Sequence, residues 1–236
     1  EVTNINKFYD LFAGTGSVSE HFKTEFNVVG NDMLESSCVV TKGRLLNKIP
    51  ENIDRYIELL NKQSTVGFIT EKFSEGSRLY FSKQNGMKID GIMQTLIKLK
   101  QNGEIDNDSY YYLLYCIIDS IHSVSNTTGV YGAYLKKLNQ NAIKEMKIKK
   151  LDIVYSENTH ECHNLDCIDL LDSIEENDII YADPPYNSRQ YGTNYHLLET
   201  IVKYRIMSQF MTMLLLRKVF FVVLVWFLLM SIIQDL

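Results

Sequence analysis

Cysteine, proline and tryptophan are scarce in this chain of 236 residues, with four, three and one respectively. Cys38, Cys116, Cys162 and Cys167 stand at no framework spacing and follow no signal peptide. Disulfides are therefore not expected, and a reduced cytoplasmic compartment is. His160, Cys162, His163 and Cys167 lie close in sequence, but no Cys-x2-Cys pair and no second ligand pair at zinc spacing accompanies them, so no metal site is expected. Long apolar runs are also missing. Val219 to Met230 is apolar throughout, yet its 12 residues fall short of the roughly 20 that a membrane helix needs, so no membrane anchor is expected. A net charge of -5 argues against a protein that coats nucleic acid. What is present is an ordinary globular composition, 45% hydrophobic and 22% charged, which excludes disorder and collagen-like repetition. The length suits one large α/β domain, or one domain with an inserted lobe.

Two of the three prolines are adjacent, within Ile179-Ile180-Tyr181-Ala182-Asp183-Pro184-Pro185-Tyr186. An apolar strand here runs into a stiff, acidic, aromatic loop, because each proline fixes φ, lacks an N–H and pushes its predecessor toward extended geometry. These groups suit one kind of chemistry. The exocyclic amine of adenine is a poor nucleophile, since its lone pair is delocalised into the ring. The Asp183 carboxylate and the Pro184 carbonyl can each accept one amine hydrogen and so favour a pyramidal nitrogen aimed at an incoming methyl group, while Pro185 stiffens the loop and Tyr186 stacks on the base. The alternative is an ordinary strand-to-turn exit.

Earlier in the chain, Lys7 to Phe12 is of strand type, Ala13-Gly14-Thr15-Gly16-Ser17 is a small-residue turn, and a helix is expected near Ser17, with Ser17 as its cap. Gly14 and Gly16 let a ligand approach the backbone at the carboxyl end of the first strand, where open α/β sheets bind ligands. Asn27 to Asp32 reads as a second strand ending in an acid 18 residues beyond Gly14, a distance that suits hydrogen bonds to ribose hydroxyls. A tight βα turn is the plainer reading of the glycines.

Helical spacing recurs over Leu34 to Leu46 and Asn52 to Leu60, separated by Pro50. Gln63 to Lys100 shows no clean period and carries four glycines, so it reads as a loop-rich inserted lobe. There Arg78, Lys83 and Lys88 interleave with Phe73, Tyr80 and Phe81, which suits phosphate and base contacts or, equally, a small satellite core. Asp108 to Val124 is expected to be a buried helix, its tyrosines packing. Six lysines and one glutamate lie between Lys136 and Lys150, and eight acids with no base between Glu157 and Asp178. The lysine run is a phosphate-contacting stripe or a solvated face. Leu151 to Tyr155 is expected to be a strand, Asp166 to end an element beside the ligand cleft, and Ile168 to Ile174 to be a short helix leading to a strand at Asp178 to Ala182. Strands alternating with helices predict an α/β fold with a doubly wound, mainly parallel sheet.

Asp10-Leu11-Phe12-Ala13-Gly14-Thr15-Gly16, Asp32, Asp166 and Asp183-Pro184-Pro185-Tyr186, in that order, resemble the bacterial D12-class DNA adenine-N6 methyltransferases. The resemblance runs from about Lys7 to Tyr204. Tyr80-Phe81-Ser82 with Asn85 to Asp90, Val130 to Lys137, and Asn187 to Thr200 are similar to a restriction–modification subgroup. It implies a Rossmann-like fold with S-adenosylmethionine as methyl donor. Cofactor binding is expected at Asp10, Phe12, Gly14, Gly16, Asp32 (ribose), Asp166 (adenine), Cys167 and Asp183. Catalysis is expected at Asp183, Pro184, Pro185 and Tyr186. Double-stranded DNA would be the partner, contacted by Arg78, Lys83, Lys88, Lys136, Lys137 and Arg189, with a cognate restriction endonuclease beside it. The expected organisation is a catalytic core of residues 1–50 and 150–204, a mostly helical recognition lobe of 51–149, and an apolar tail of 205–236. The family's segment before the glycine loop is expected to be absent, and the tail to come from a reading-frame change near codon 204. The other readings are an RNA base methyltransferase and a catalytically silent remnant that binds cofactor or DNA.

Overall fold

The computed structural model describes residues 5–185 and 191–204. Apart from Lys203 and Tyr204, the described residues fall in one compact unit within Glu1–Val202. Strands β1 (Lys7–Asp10), β2 (Asn27–Asn31), β3 (Glu161–His163) and β4 (Ile179–Tyr181) form a parallel sheet in the order β3-β2-β1-β4. Phe8 pairs with Val28 on one side and Ile179 on the other. The order reverses between β1 and β4, which makes the carboxyl end of that pair the switch point where α/β sheets take ligands.

Alternation along the strands covers both faces of the sheet. Phe8 and Val28 pack with Leu45 on one face, whereas Tyr9, Val29 and Leu11 pack with Leu170 on the other. Burying each of these large side chains contributes about 1.5–3 kcal/mol. On the first face lie α1 (Ser17–Phe22) and α2 (Glu35–Leu45), with Phe22 stacked on Phe8 at 4.4 Å between ring centroids. On the second lies a 3-10 helix, Cys167–Ser173, whose Ser173 carbonyl accepts the Tyr9 hydroxyl at 2.8 Å. The α/β architecture and the parallel, doubly wound sheet agree with the sequence. The cap of α1 does not. Gly16, at φ 71°, is the N-cap, and Ser17 is the first helical residue. The chain enters this helix through a left-handed residue, a conformation that costs glycine nothing.

Between β2 and β3 the chain is helical, through α3 (Ile53–Asn61), α4 (Phe68–Phe73), α5 (Lys83–Gln101), α6 (Asn107–Val124) and the short α7 (Gln140–Ile143). The stretch expected to be loop-rich thus holds the 19-residue α5. Gly86 and Gly91 hid it, because glycine usually argues against helix. Both face backbone. A Cβ on Gly91 would lie 2.6 Å from the Ser64 nitrogen, and one on Gly86 3.0 Å from the Thr70 Cα. Phe73, Tyr80 and Phe81 are all buried, as a satellite core requires.

Leu151 to Tyr155 forms no strand. The chain from Ala142 to Leu151 bonds instead to side chains. Asn85 Nδ2 donates to the Ala142 and Lys144 carbonyls and its Oδ1 accepts the Met146 N–H. Asn61 brackets Ile148 in the same way, and the Tyr112 hydroxyl both donates to and accepts from Leu151. Every buried backbone group needs a partner, and here amides and a phenol supply what a neighbouring strand would. Helix α8 (Tyr191–Val202) follows β4 and packs on α2. Among the described residues, no helix is long and apolar enough to cross a membrane.

Candidate active site

The parallel sheet delivers four loops to one edge, and each brings polar groups. At the end of β1, Asp10 is 1% exposed. Its Oδ2 accepts the Ser19 hydroxyl at 2.7 Å, while Oδ1 has no hydrogen-bond partner. Burial pushes its pKa up. Phe12 packs on the Tyr9 cluster. Gly14 has φ +54°, and the nearest atom to a Cβ there would be the Phe12 carbonyl oxygen at 3.9 Å, so the space beside it is open. Gly16 differs. A Cβ there would meet Thr41 Oγ1 at 2.9 Å, so this glycine serves the close packing of the loop on α2.

After β2, the Asp32 carboxylate accepts two backbone N–H groups, from Gly14 and Leu34, each at 2.8 Å. It thereby fixes the glycine loop and the entry to α2 together. Burial raises its pKa, against the lowering effect of those two bonds. Two carboxamides brace this edge. Asn31 donates to the Leu11 and Leu165 carbonyls and accepts the Leu165 N–H, tying the loops after β1 and β3. Asn164 donates to the carbonyls of Asp32 and Met33.

After β3, Asp166 caps the 3-10 helix by accepting the Ile168 N–H at 3.1 Å, and its side chain is exposed. Cys167 points elsewhere, into the packing around Tyr9 and Leu11. Met33 and Ile168, next to Asp32 and beside Asp166, are 69% and 68% exposed. A flat, apolar ring between the two acids would cover such side chains. On β4, Tyr181 pairs with Asp10 and its carbonyl accepts the Leu11 N–H at 3.1 Å. Asp183 therefore leaves the sheet two residues past the partner of Asp10, parallel to the glycine loop. Asp183, Pro184 and Pro185 are exposed, whereas Tyr186 and Arg189 lie outside the described residues.

A cavity of about 280 Å³ opens beside the glycine loop, lined by Gly14, Thr15 and Asp32 from the sheet edge, Tyr115 from α6 and Leu198 from α8. A depression of about 340 Å³, around Pro50, Tyr56 and Asp106, shares no residue with this edge. Glu199 of α8 accepts the Ser36 N–H at 2.7 Å, so the helix that follows the Asp183 loop is pinned to the first turn of α2. Over residues 1–217 the chain matches the family model of the D12 class N6 adenine-specific DNA methyltransferases.

The chain belongs to that family. It is 38% identical over 206 residues to the type II methyltransferase M.NlaIII of Neisseria lactamica, a match covering 84% of this chain and 60% of that protein. It is 36% identical over 214 residues to the type II methyltransferase M.FokI of Planomicrobium okeanokoites, covering 84% of this chain and 33% of the relative. The modification methylase LlaI of Lactococcus lactis is 35% identical over 213 residues, with 34% of its length matched. The chain thus spans between about one third and three fifths of these relatives. No solved structure matches it.

The basic residues of this family member divide. Arg78, Lys83, Lys136 and Lys137 are exposed, with the Arg78 guanidinium over the Phe73 ring at 5.2 Å. Lys88 is 8% exposed, donates to the Asn61 carbonyl at 2.6 Å and pairs with Glu145 at 3.0 Å. Its ammonium is spent inside the lobe and is not offered to a phosphate. Among the described residues no group of three or more His, Cys, Asp or Glu side chains can hold a metal. Asn31, Met33, Asn164, Ile168 and Glu199 were not singled out in the sequence. For Met33 and Ile168 a signal existed, since each sits within two residues of a candidate acid. Glu199 lay within the Asn187 to Thr200 stretch that carries the resemblance, but its contact did not show, because its partner lies 163 residues away.

Proposed function

We propose that this chain transfers a methyl group from S-adenosylmethionine to the N6 amine of adenine in a specific sequence of double-stranded DNA. It would act in the cytoplasm, as the modification enzyme paired with a restriction endonuclease. The carrying observation is the convergence of the glycine loop, Asp32 and the Asp183 loop at one switch point in a chain of this family. The printed names of the relatives, type II methyltransferase and modification methylase, support the restriction–modification setting.

The residues present fit the cofactor. Open space beside Gly14 admits a ligand to the backbone, and the unpartnered Asp10 Oδ1 is a buried acceptor at the same edge. Both Asp32 oxygens are engaged by N–H groups, yet each keeps a lone pair for a ribose hydroxyl. Asp166 would hold the adenine amine, and the exposed Met33 and Ile168 side chains would offer apolar surface to its ring. When bound, S-adenosylmethionine supplies an electrophilic methyl group on sulfur.

The chain's own residues do the rest by positioning and polarisation. Asp183 and the Pro184 carbonyl accept the two hydrogens of the target amine and localise its lone pair, at a rigid site that needs no reorganisation. Tyr186 stacks on the target ring. An adenine inside a duplex cannot reach this loop, so it must leave the stack. The lobe, residues 51–149, recognises the DNA, with its Arg78, Lys83, Lys136 and Lys137 on phosphates, joined by Arg189 of the catalytic core. To test the reading, purified chain is incubated with methyl-labelled S-adenosylmethionine and either plasmid DNA or RNA, and the nucleosides are separated. Label in N6-methyladenine from DNA is expected. Label confined to RNA, or none at all with folded protein, would defeat the proposal.

A further inference from the structure

Cys38 and Cys162 lie 124 positions apart in the chain, yet their Sγ atoms are 3.4 Å apart. Cys38 is on the buried side of α2, 2% exposed, and Cys162 is the middle residue of β3, paired with Gly30 of β2 and partly exposed. Disulfide sulfurs sit at about 2.0 Å, so closing the bond asks for a movement of roughly 1.4 Å. Nothing in the proposed methyl transfer uses either thiol. Two further features set the pair apart. The hydrogen bond that the two sulfurs share, in which either can be the donor, lowers the Cys38 thiol and, with burial, raises that of Cys162, and the Lys42 ammonium one turn along α2 also lowers Cys38. One sulfur is therefore disposed to attack and the other to resolve. The remaining cysteines lack this arrangement. Cys116 is wholly buried in α6, its thiol pushed up to about 11 by burial, and Cys167 packs on the Tyr9 cluster.

We propose that Cys38 and Cys162 are a redox-active pair that hydrogen peroxide converts into a reversible disulfide, stapling α2 to β3 beneath the turn that carries Asp32. The oxidant is small enough to reach Cys38 through local opening of the partly exposed β3 edge. The Cys38 thiolate attacks one peroxide oxygen and the O–O bond breaks, leaving a sulfenic acid and, after protonation, one water. Cys162 then attacks that sulfur, the S–S bond forms, and the sulfenic oxygen leaves as a second water. Two thiols are oxidised and one peroxide is reduced. The residues just past Cys162 hold the Asp32 turn, through the His163 carbonyl on the Asp32 N–H at 3.2 Å and Asn164 on the Asp32 and Met33 carbonyls. The staple thus reaches the candidate cofactor edge.

The test treats the purified full chain with a modest excess of hydrogen peroxide, alkylates the remaining thiols and maps the digest by mass spectrometry. A cross-linked peptide pair joining Cys38 to Cys162 is expected, with Cys116 and Cys167 still alkylated and dithiothreitol restoring all four thiols. Oxidation should also raise the melting midpoint by roughly 5 °C or more, since a cross-link across so long a loop restricts the denatured chain. Cys38→Ser and Cys162→Ser should each remove that rise. Full alkylation of both residues after peroxide, sulfinic acid at either one without a cross-link, or a disulfide through Cys116 or Cys167 would overturn the proposal. Mapping of the unsubstituted chain decides the matter even if a serine variant does not fold. The result is independent of methylation, so it can fail while the proposed function stands.

Discussion

In the sheet, β1 and β2 pair over four parallel positions, from Lys7 with Asn27 to Asp10 with Gly30. The irregular run from Lys144 to Leu151 has no neighbouring strand and hangs on the side chains of Asn85, Asn61 and Tyr112. Both arrangements satisfy buried backbone groups, but they fail differently. A ladder is shared among many residues and forgives a side-chain change. A run held by three side chains concentrates the same work in a few positions. The sheet is thereby free to spend its carboxyl-end side chains on polar and acidic groups, while the lobe commits its polar residues to holding itself together.

The largest expected effect lies at the sheet edge. In a form of the chain with measurable methylation, Asp183→Ala should lower the single-turnover rate by about 10²–10³ if, as proposed, one amine hydrogen thereby loses its acceptor where charge develops. Asp183→Asn should also fall well below wild type, although it keeps an acceptor oxygen. A wild-type rate for Asp183→Asn at saturating cofactor and DNA would remove the carboxylate from the mechanism. In the lobe, Asn85→Ala strands two carbonyls and one N–H in a buried site. It should cost about 3 kcal/mol by urea unfolding. A loss below about 1 kcal/mol would mean that the run does not depend on its side-chain partners.

The glycine loop sharpens the contrast within the edge itself. Gly14→Val should destroy S-adenosylmethionine binding in a folded protein, as the space beside Gly14 is open to ligand, whereas Gly16→Val should first unfold the packing on Thr41. Isothermal titration together with thermal melts separates the two. Next, Asp32→Ala should weaken cofactor binding by about 1.5–3 kcal/mol, the usual worth of hydrogen bonds to a charged acceptor. An unchanged dissociation constant would remove Asp32 from the ribose.

A smaller effect concerns His160, whose Nδ1 accepts the Val28 N–H at 3.2 Å. Burial first, and then Lys23, lower its pKa from 6.5 to about 4. The neutral ring is the one that folds, so its contribution is complete above pH 6.5 and is lost as pH falls toward 4. Discounted for partial exposure, the loss is about 1 kcal/mol, and His160→Gln should flatten the stability profile in that window. Smallest of all, Lys136 and Lys137 changed together to Gln should reduce the salt slope of DNA binding by up to about 2 and leave fold stability unchanged. An identical slope would make them a solvated face.

Local chemistry carried a great deal by itself. The strand, glycine turn and helix at Lys7 to Phe22, the acid at Asp32, the stiff Asp183-Pro184-Pro185 exit and the parallel α/β class are all written in short stretches, because φ preferences, hydrophobic alternation and spacing act over a few residues. The tertiary structure decided whatever depends on a distant partner. Gly86 and Gly91 look like breakers until the backbone they abut is known, and then a 19-residue helix follows. Leu151 to Tyr155 has the composition of a strand but no strand to pair with. Lys88 looks like a phosphate ligand and is spent on Glu145 and the Asn61 carbonyl. Glu199 reaches Ser36, and Cys38 meets Cys162, across well over 100 residues. A propensity belongs to one residue and its near neighbours. A packing contact, an ion pair or a buried hydrogen bond belongs to two residues that only the folded chain brings together.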